Sequence, residues 1–268
     1  MRVLNEQDLR RLAPSIYATE PWQAQSDKYR FIPTINVVTA LQDSGFHPVR
    51  AMQSRSRVPG KAEFTKHMIR FRRAGDYNVN DIIPEIILVN SHDGTSAYKI
   101  SMGLYRLVCS NGLTVADTAI SNIIRFTHRG AHDLCREVID VSAEVMAESP
   151  KVLTTVNLWK TINLTMAEQT AFAESVKNLN YSTIEIKPES LLSARRLEDY
   201  RSKEDNTRDL WRTYNVVQEN VIRGGVMGRT ANNRLRRTRQ VKSVDGDIKL
   251  NKALWTLAEK MAEIKNAN

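Results

Sequence analysis

Between Phe46 and Phe126 the apolar positions mostly recur every second residue, and after Gly130 they recur every three to four. The first half therefore predicts strands. Phe64 to Arg73 alternates, with Ile69 and Phe71 on one side and Lys66, Met68, Arg70 and Arg72 on the other. Ile86-Ile87-Leu88-Val89 is continuously apolar, as a strand covered on both faces is. Tyr98, Ile100, Met102, Leu104 and Val108 share one face of the next stretch, and Ile120, Ile124 and Phe126 mark a fifth strand. Phe46 to Arg57 is extended and polar. Pro59-Gly60, Asp93-Gly94 and Asn111-Gly112 are turn signals between these runs. The pattern is that of an antiparallel meander of about five strands.

Helical periodicity flanks this sheet. Glu6 to Leu12 reads as a short helix, followed by an irregular segment holding Pro14, Pro21 and Trp22. A second helix starts at Pro33-Thr34 with Thr34 as its cap, carries Ile35, Val38 and Leu41 as its stripe, and ends at Gly45. Leu134, Val138, Val141 and Val145 form a further helix face. Residues 150–180 predict one or two helices anchored by Trp159, Leu164 and Phe172. Asp205-Asn206 caps a helix bearing Leu210, Tyr214, Val217 and Val221, which Gly224-Gly225 stops. Leu250, Leu254, Leu257, Met261 and Ile264 define the last one. Strands first and helices afterwards give the α+β class. The expected division is a sheet domain with N-terminal helices over residues 1–148 and a helical region over 149–268, with no internal repeat.

At 268 residues, 41% apolar and 26% charged, the chain has the composition of an ordinary globular protein. Charge changes the picture more. The formal net charge is +9, yet it is not spread evenly. Arg50, Arg55, Arg57, Lys61, Lys66, Arg70, Arg72 and Arg73 face only Glu63 in residues 50–73. Arg223, Arg229, Arg234, Arg236, Arg237, Arg239 and Lys242 face no acid in residues 223–242. Each window carries +7, and the rest of the chain carries −5.

Phosphate binding needs cations within reach of one backbone, and arginine's planar fork suits bidentate contacts and base stacking. The first cluster is expected on rigid strands. The second contains Gly224-Gly225-Val226-Met227-Gly228-Arg229 and reads as a mobile arm or loop. The bland alternative is a solvated basic face paired with acids such as Glu198-Asp199 and Glu204-Asp205.

Catalytic patterns are weak by comparison. His128, His132 and Cys135 have helical spacing for zinc, but His128 falls at a strand end and Cys135 near an apolar face. Glu185-Ile186-Lys187 is half of a metal-dependent nuclease pattern without the convergent acids, since no Asp occurs from 141 to 198. Ser110-Asn111-Gly112 beside Cys109 is better explained as a turn than as a nucleophile. No phosphate-binding glycine loop or dinucleotide fingerprint is present. The expectation is a protein without enzymatic activity, metal or cofactor. Two cysteines make no disulfide framework, no run approaches the roughly 20 apolar residues of a span, and the N-terminus lacks a signal-like core, so a cytoplasmic setting is expected.

Several strings carry a wider likeness. They include Arg10-Arg11-Leu12-Ala13-Pro14, Tyr29-Arg30-Phe31-Ile32-Pro33-Thr34, Gly45-Phe46-His47-Pro48-Val49 and Gln53-Ser54-Arg55-Ser56-Arg57. Thr65-Lys66-His67-Met68-Ile69-Arg70-Phe71-Arg72, Leu107 to Leu113, Leu210-Trp211 to Gly225 and the final Leu254-Trp255 segment continue it. Over essentially its whole length the chain resembles the phage- and plasmid-encoded domain-of-unknown-function family 932. The resemblance implies a mobile-element origin and a setting in DNA replication, recombination or evasion of host defence, and it transfers no catalytic residue. With the charge layout, this leads to the expectation of a DNA-binding protein of single-strand annealing type, using both arginine clusters, with homo-oligomerisation extending the groove. The alternative is an anti-defence or regulatory protein that binds a host protein.

Overall fold

The computed structural model describes residues 2–23, 29, 31–73, 82–106, 111–115, 124–126, 134–193 and 208–267. The chain forms two compact units, Met1–Ser149 and Pro150–Asn268. The α+β class holds.

Unit one is built on an antiparallel sheet of β1 (Phe46–Gln53), β2 (His67–Arg73), β3 (Ile82–Asn90), β4 (Tyr98–Arg106), β5 (Asn111–Thr114) and β6 (Ile124–Phe126). The strands lie in the order β1-β2-β3-β4-β5, and β6 pairs with the other half of β4. The meander is as expected except at Asn111-Gly112. Those residues open β5 and pair with β4, Asn111 opposite Arg106 and Gly112 opposite Tyr105. The Asp93-Gly94 turn is real: the Asp93 carboxylate accepts from the Thr95 backbone N–H at 3.1 Å, and Gly94 has φ +75°.

Register sorts the strand residues onto two faces. Ile69, Phe71, Ile86, Leu88, Ile100 and Met102 share one face, and all are buried. α2 (Thr34–Asp43) and α3 (Leu134–Ala147) pack on each other and against this sheet through Val37, Val38 and Leu41, and through Leu134, Val138, Val141 and Val145. The other face carries Arg50, Arg70, Arg72 and Glu85, and it too is buried over much of β2. A bulge between Pro48 and Arg50 shifts the β1–β2 register by one residue and sets Arg50 opposite Arg70. α1 (Glu6–Leu12) is capped by Asn5, whose side chain accepts from the Asp8 N–H. Thr34 does not cap α2; Pro33 occupies that position, and the Thr34 hydroxyl is turned into the core.

Unit two gathers α4 (Ser149–Thr161), α5 (Met166–Asn180), α6 (Glu189–Leu192), α7 (Leu210–Arg223) and α8 (Val244–Ala267). Its centre is aromatic. Trp159 lies 4.6 Å from Trp255 and 6.3 Å from Trp211, and Trp211 stacks on Tyr214 at 5.7 Å between ring centroids. α7 is buried almost all round, and two of its polar side chains find partners on neighbouring segments. Gln218 donates to Asn251 at 2.8 Å, and Asn220 donates to the Leu191 and Ser193 carbonyls. Asp209 caps α7 by accepting from the Arg212 N–H at 2.9 Å; the expected Asp205-Asn206 cap lies outside the described residues. α5 begins in a capping box between Thr165 and Glu168. This unit also holds a second sheet, of order β7-β8-β9, from β7 (Ile184–Glu185), β8 (Met227–Thr230) and β9 (Leu235–Arg237).

Candidate nucleic-acid interface

The segment after α7 is not a mobile arm. Gly224 ends the helix at φ +63°, and a Cβ there would sit 2.3 Å from the Arg239 carbonyl carbon, so only glycine fits. The two legs are then laced together. Gly225 N–H donates to Thr238 O at 2.8 Å, Thr238 N–H to Val226 O at 2.8 Å, and Val241 N–H to Ile222 O at 2.9 Å. The Thr238 hydroxyl accepts from Val226 N–H at 3.0 Å. The β8–β9 hairpin closes over residues 231–233, with Asn233 N–H donating to Thr230 O and Asn233 itself at φ 57°. β7 pairs on the far edge of β8, with Glu185 opposite Arg229.

Arg229, Arg234, Arg236, Arg237 and Arg239 are all exposed on or beside this hairpin. Arg229 donates to the Asn233 carbonyl and side-chain oxygens. None of the five forms an ion pair with a described carboxylate. Arg236, Arg237 and Arg239 line a groove of about 340 Å³ with Tyr181, Asn180, Thr183 and Ile184. Met227 and Leu235 are exposed apolar side chains on the same hairpin.

The first cluster is dispersed. Arg55 and Arg57 are exposed in the loop after β1, and Arg73 is exposed at the end of β2 with its guanidinium 5.8 Å from the Phe46 ring. Lys61 is bound to Asp93 at 3.2 Å; burial alone would push that carboxyl up, but hydrogen bonds from Thr95, Ser91 and Lys61 hold it below the usual range. Arg50 and Lys66 are half-buried. Arg70 and Arg72 are not surface cations at all. Arg70 is 1% exposed, and its Nη1 donates to Glu85 at 3.1 Å and to Leu113 O at 3.0 Å. Arg72 Nε donates to the other Glu85 oxygen at 2.8 Å, and its guanidinium lies 3.6 Å over the Tyr105 ring. Space for Arg70 comes from two missing side chains: a Cβ on Gly103 would lie 2.9 Å from its Nη1, and one on Gly112 would lie 2.8 Å from its Cζ. Alternation places Arg70 and Arg72 on the non-helical face as expected; what it does not reveal is that this face is closed by Glu85.

A second buried polar row went unread in the sequence. His67, Asn90, His92, Tyr98, Ser15 and Thr34 are all sealed from solvent. The Ser15 hydroxyl donates to Gln53 at 2.8 Å, so His67 Nδ1–H donates to Ser15 at 2.8 Å and His67 Nε2 accepts from the Thr34 hydroxyl at 2.9 Å. Thr34 in turn accepts from His92 Nε2–H and Asn90 Nδ2, each at 3.0 Å. One proton per imidazole accounts for these bonds. Burial, then the neighbouring His92, pushes the His67 pKa down to about 3, so it is neutral. With no solvent access, the Ser15–His67 pair is a core lock rather than a nucleophile. A paired Ser, Thr and two His at wide separation leaves no periodic signal that a sequence reading catches.

Of the metal candidates, His128 and His132 lie outside the described residues, as does Cys109 of the Ser110-Asn111-Gly112 stretch; Cys135 is half-buried in the first turn of α3. Among the described residues no group of three metal-ligating side chains occurs, and no helix is long and apolar enough to cross a membrane. Glu185, of the nuclease-like triplet, sits on β7.

A family model described as "Domain of unknown function (DUF932)" matches residues 21–255. The chain is 38% identical to the UPF0380 protein YafZ of Escherichia coli (strain K12) over 260 residues, covering 96% of this chain and 91% of that protein. It is 37% identical to the UPF0380 protein YfjQ of the same strain over 260 residues, with the same coverage. No solved structure matches it.

Proposed function

The chain belongs to the DUF932 family, and for it we propose a nucleic-acid-binding role, exercised on DNA through the β8–β9 hairpin. One observation carries this reading: five exposed arginines stand on an anchored hairpin without a described carboxylate in ion-pair contact. A fixed backbone holds the guanidiniums at strand spacing, so little ordering opposes phosphate contact. The adjoining groove sets Tyr181 beside Arg236, Arg237 and Arg239, the pairing of aromatic face and cation that unpaired bases and their phosphates use. The role is binding, with sequence-independent affinity set by charge. Arg55, Arg57 and Arg73, exposed in unit one, are the members of the first cluster still suited to contact a polyanion.

The test is affinity for single-stranded and duplex oligonucleotides of equal length across a salt series. Five phosphate contacts predict a log–log slope of about −4.5 on duplex and about −3.5 on single strands. A slope near zero, or no binding at low salt, overturns the proposal. Retention of a nuclease-resistant protein partner without DNA would point instead to a protein-binding role for the same face.

A further inference from the structure

β8 and β9 pair with Met227 opposite Arg237, Gly228 opposite Arg236 and Arg229 opposite Leu235. Directly paired residues share a face, so Met227, Arg229, Leu235 and Arg237 stand together on one side of the hairpin. The other side is closed. Val226 and Thr238 are buried there, and a Cβ on Gly228 would lie 2.6 Å from Ile186 Cγ2 and 2.9 Å from Ile184 Cγ1. The four side chains of the open side are all exposed, and Leu235, at 65%, is the most exposed large apolar side chain among the described residues. Granted the nucleic-acid role proposed above, on which this rests, we infer that the open side is a platform for an unpaired strand, with Leu235 and Met227 against base faces and Arg229 and Arg237 on the flanking phosphates.

The four side chains form a checkerboard. Met227 has Arg229 two residues along its strand and Arg237 directly across, and Leu235 has Arg237 along its strand and Arg229 across. Such neighbours are about 6.7 Å apart along a strand and about 5 Å apart across it. That is the scale of a nucleotide step, in which a flat apolar base alternates with a charged phosphate.

Charge selects the partner. Arg237 forms no ion pair with a described carboxylate, and Arg229 is tethered to the Asn233 side chain at 3.0 Å rather than to an acid. Register adds one acid to this face, Glu185 on β7, across from Arg229. A polyanion complements the remaining excess, whereas an apolar protein surface would bury the guanidiniums without a counter-charge. Strand state follows from what exposes a base. Apolar wedges enter a duplex only by unstacking a base step, a cost that duplex benders recover over a wide wrapped surface. Here the two strands are four and three residues long, too short for such wrapping. An unpaired strand presents base faces without that cost. Arg237 also lines the groove that holds Arg236 and Arg239, so the strand has a continuous path off the platform.

The test measures affinity of the whole chain for three polymers of equal length: a thymidine strand, the same strand with abasic residues replacing the thymidines, and a duplex. Wild type should bind the thymidine strand at least about tenfold more tightly than the abasic one. The double variant Leu235→Thr with Met227→Thr keeps strand propensity. It should lose about tenfold on the thymidine strand and nothing on the abasic strand, with salt slope and melting temperature unchanged. Arg237→Gln should weaken binding to both single strands and make the salt slope shallower by about 0.7. Equal wild-type affinity for the thymidine and abasic strands overturns the platform and leaves the hairpin's phosphate role standing, as does unchanged affinity in the double variant. A loss confined to the duplex overturns it in favour of a wedge in a duplex groove. Absence of binding to all three polymers removes the nucleic-acid role itself, and the platform with it.

Discussion

Arginine plays opposite parts in the two units. On β2, Arg70 and Arg72 are sunk around Glu85, fixed by short hydrogen bonds and an aromatic ring, and they belong to the core. On the β8–β9 hairpin, five arginines stand in solvent on a backbone fixed by other residues. Both stretches are acid-poor in sequence. What separates them is the neighbouring strand: β2 is an interior strand, and β3 brings a carboxylate beside it, whereas Arg236 and Arg237 stand on β9, the edge of its sheet. The lesson is that a basic run acquires its meaning from what pairs with it in space. An arginine-studded edge also resists pairing with a further strand, so stability measurements and binding measurements must be read together.

The comparison breaks first at Glu85. Glu85→Gln removes the carboxylate that the two buried guanidiniums share and is expected to cost about 3–5 kcal/mol, measured by urea unfolding; a loss below about 1 kcal/mol would mean that the pairing is not structural. Acid extends the test to the other sealed polar row. His67 is neutral in the folded chain with a pKa near 3 and titrates near 6.5 when unfolded, so the unfolded state binds the extra proton between those values. Stability is fully present above about pH 6.5 and falls by roughly 1.4 kcal/mol for each pH unit below it, down to about pH 3. His67→Gln should flatten that part of the pH profile. Gly112→Ala is next: its Cβ meets the Arg70 guanidinium, and a loss of about 1–3 kcal/mol is expected. Smallest is the hairpin itself. Replacing Arg236, Arg237 and Arg239 by Ala should change unfolding free energy by no more than about 0.5 kcal/mol, because nothing in the fold rests on those side chains.

Strands β1 to β4, the Asp93-Gly94 turn and the longer helices of both units are legible because period and turn chemistry are local properties; β5, whose Asn111-Gly112 reads as a turn, is not. Arg70 and Arg72 were placed on the right face but given the wrong environment. Alternation is the same whether the second face meets water or Glu85, which lies on another strand. The hairpin was misread as mobile because Gly224-Gly225 and Gly228 look like a flexible stretch. Its strand partner on β7 lies some 40 residues earlier, and lacing through Thr238 has no sequence signature. Thr34 was read as a cap because a threonine after a proline at a helix start fits that role. Only the assembled sheet brings His67, Asn90 and His92 around its hydroxyl.

The central claim is that the exposed arginines, unlike the buried ones, exist for a polyanion. Its most direct measurement is the salt dependence of oligonucleotide affinity for the wild-type chain and for the variant carrying Ala at 236, 237 and 239. A slope that becomes shallower by about 2 in the variant, at unchanged stability, is the predicted result. Identical slopes for the two proteins would contradict it.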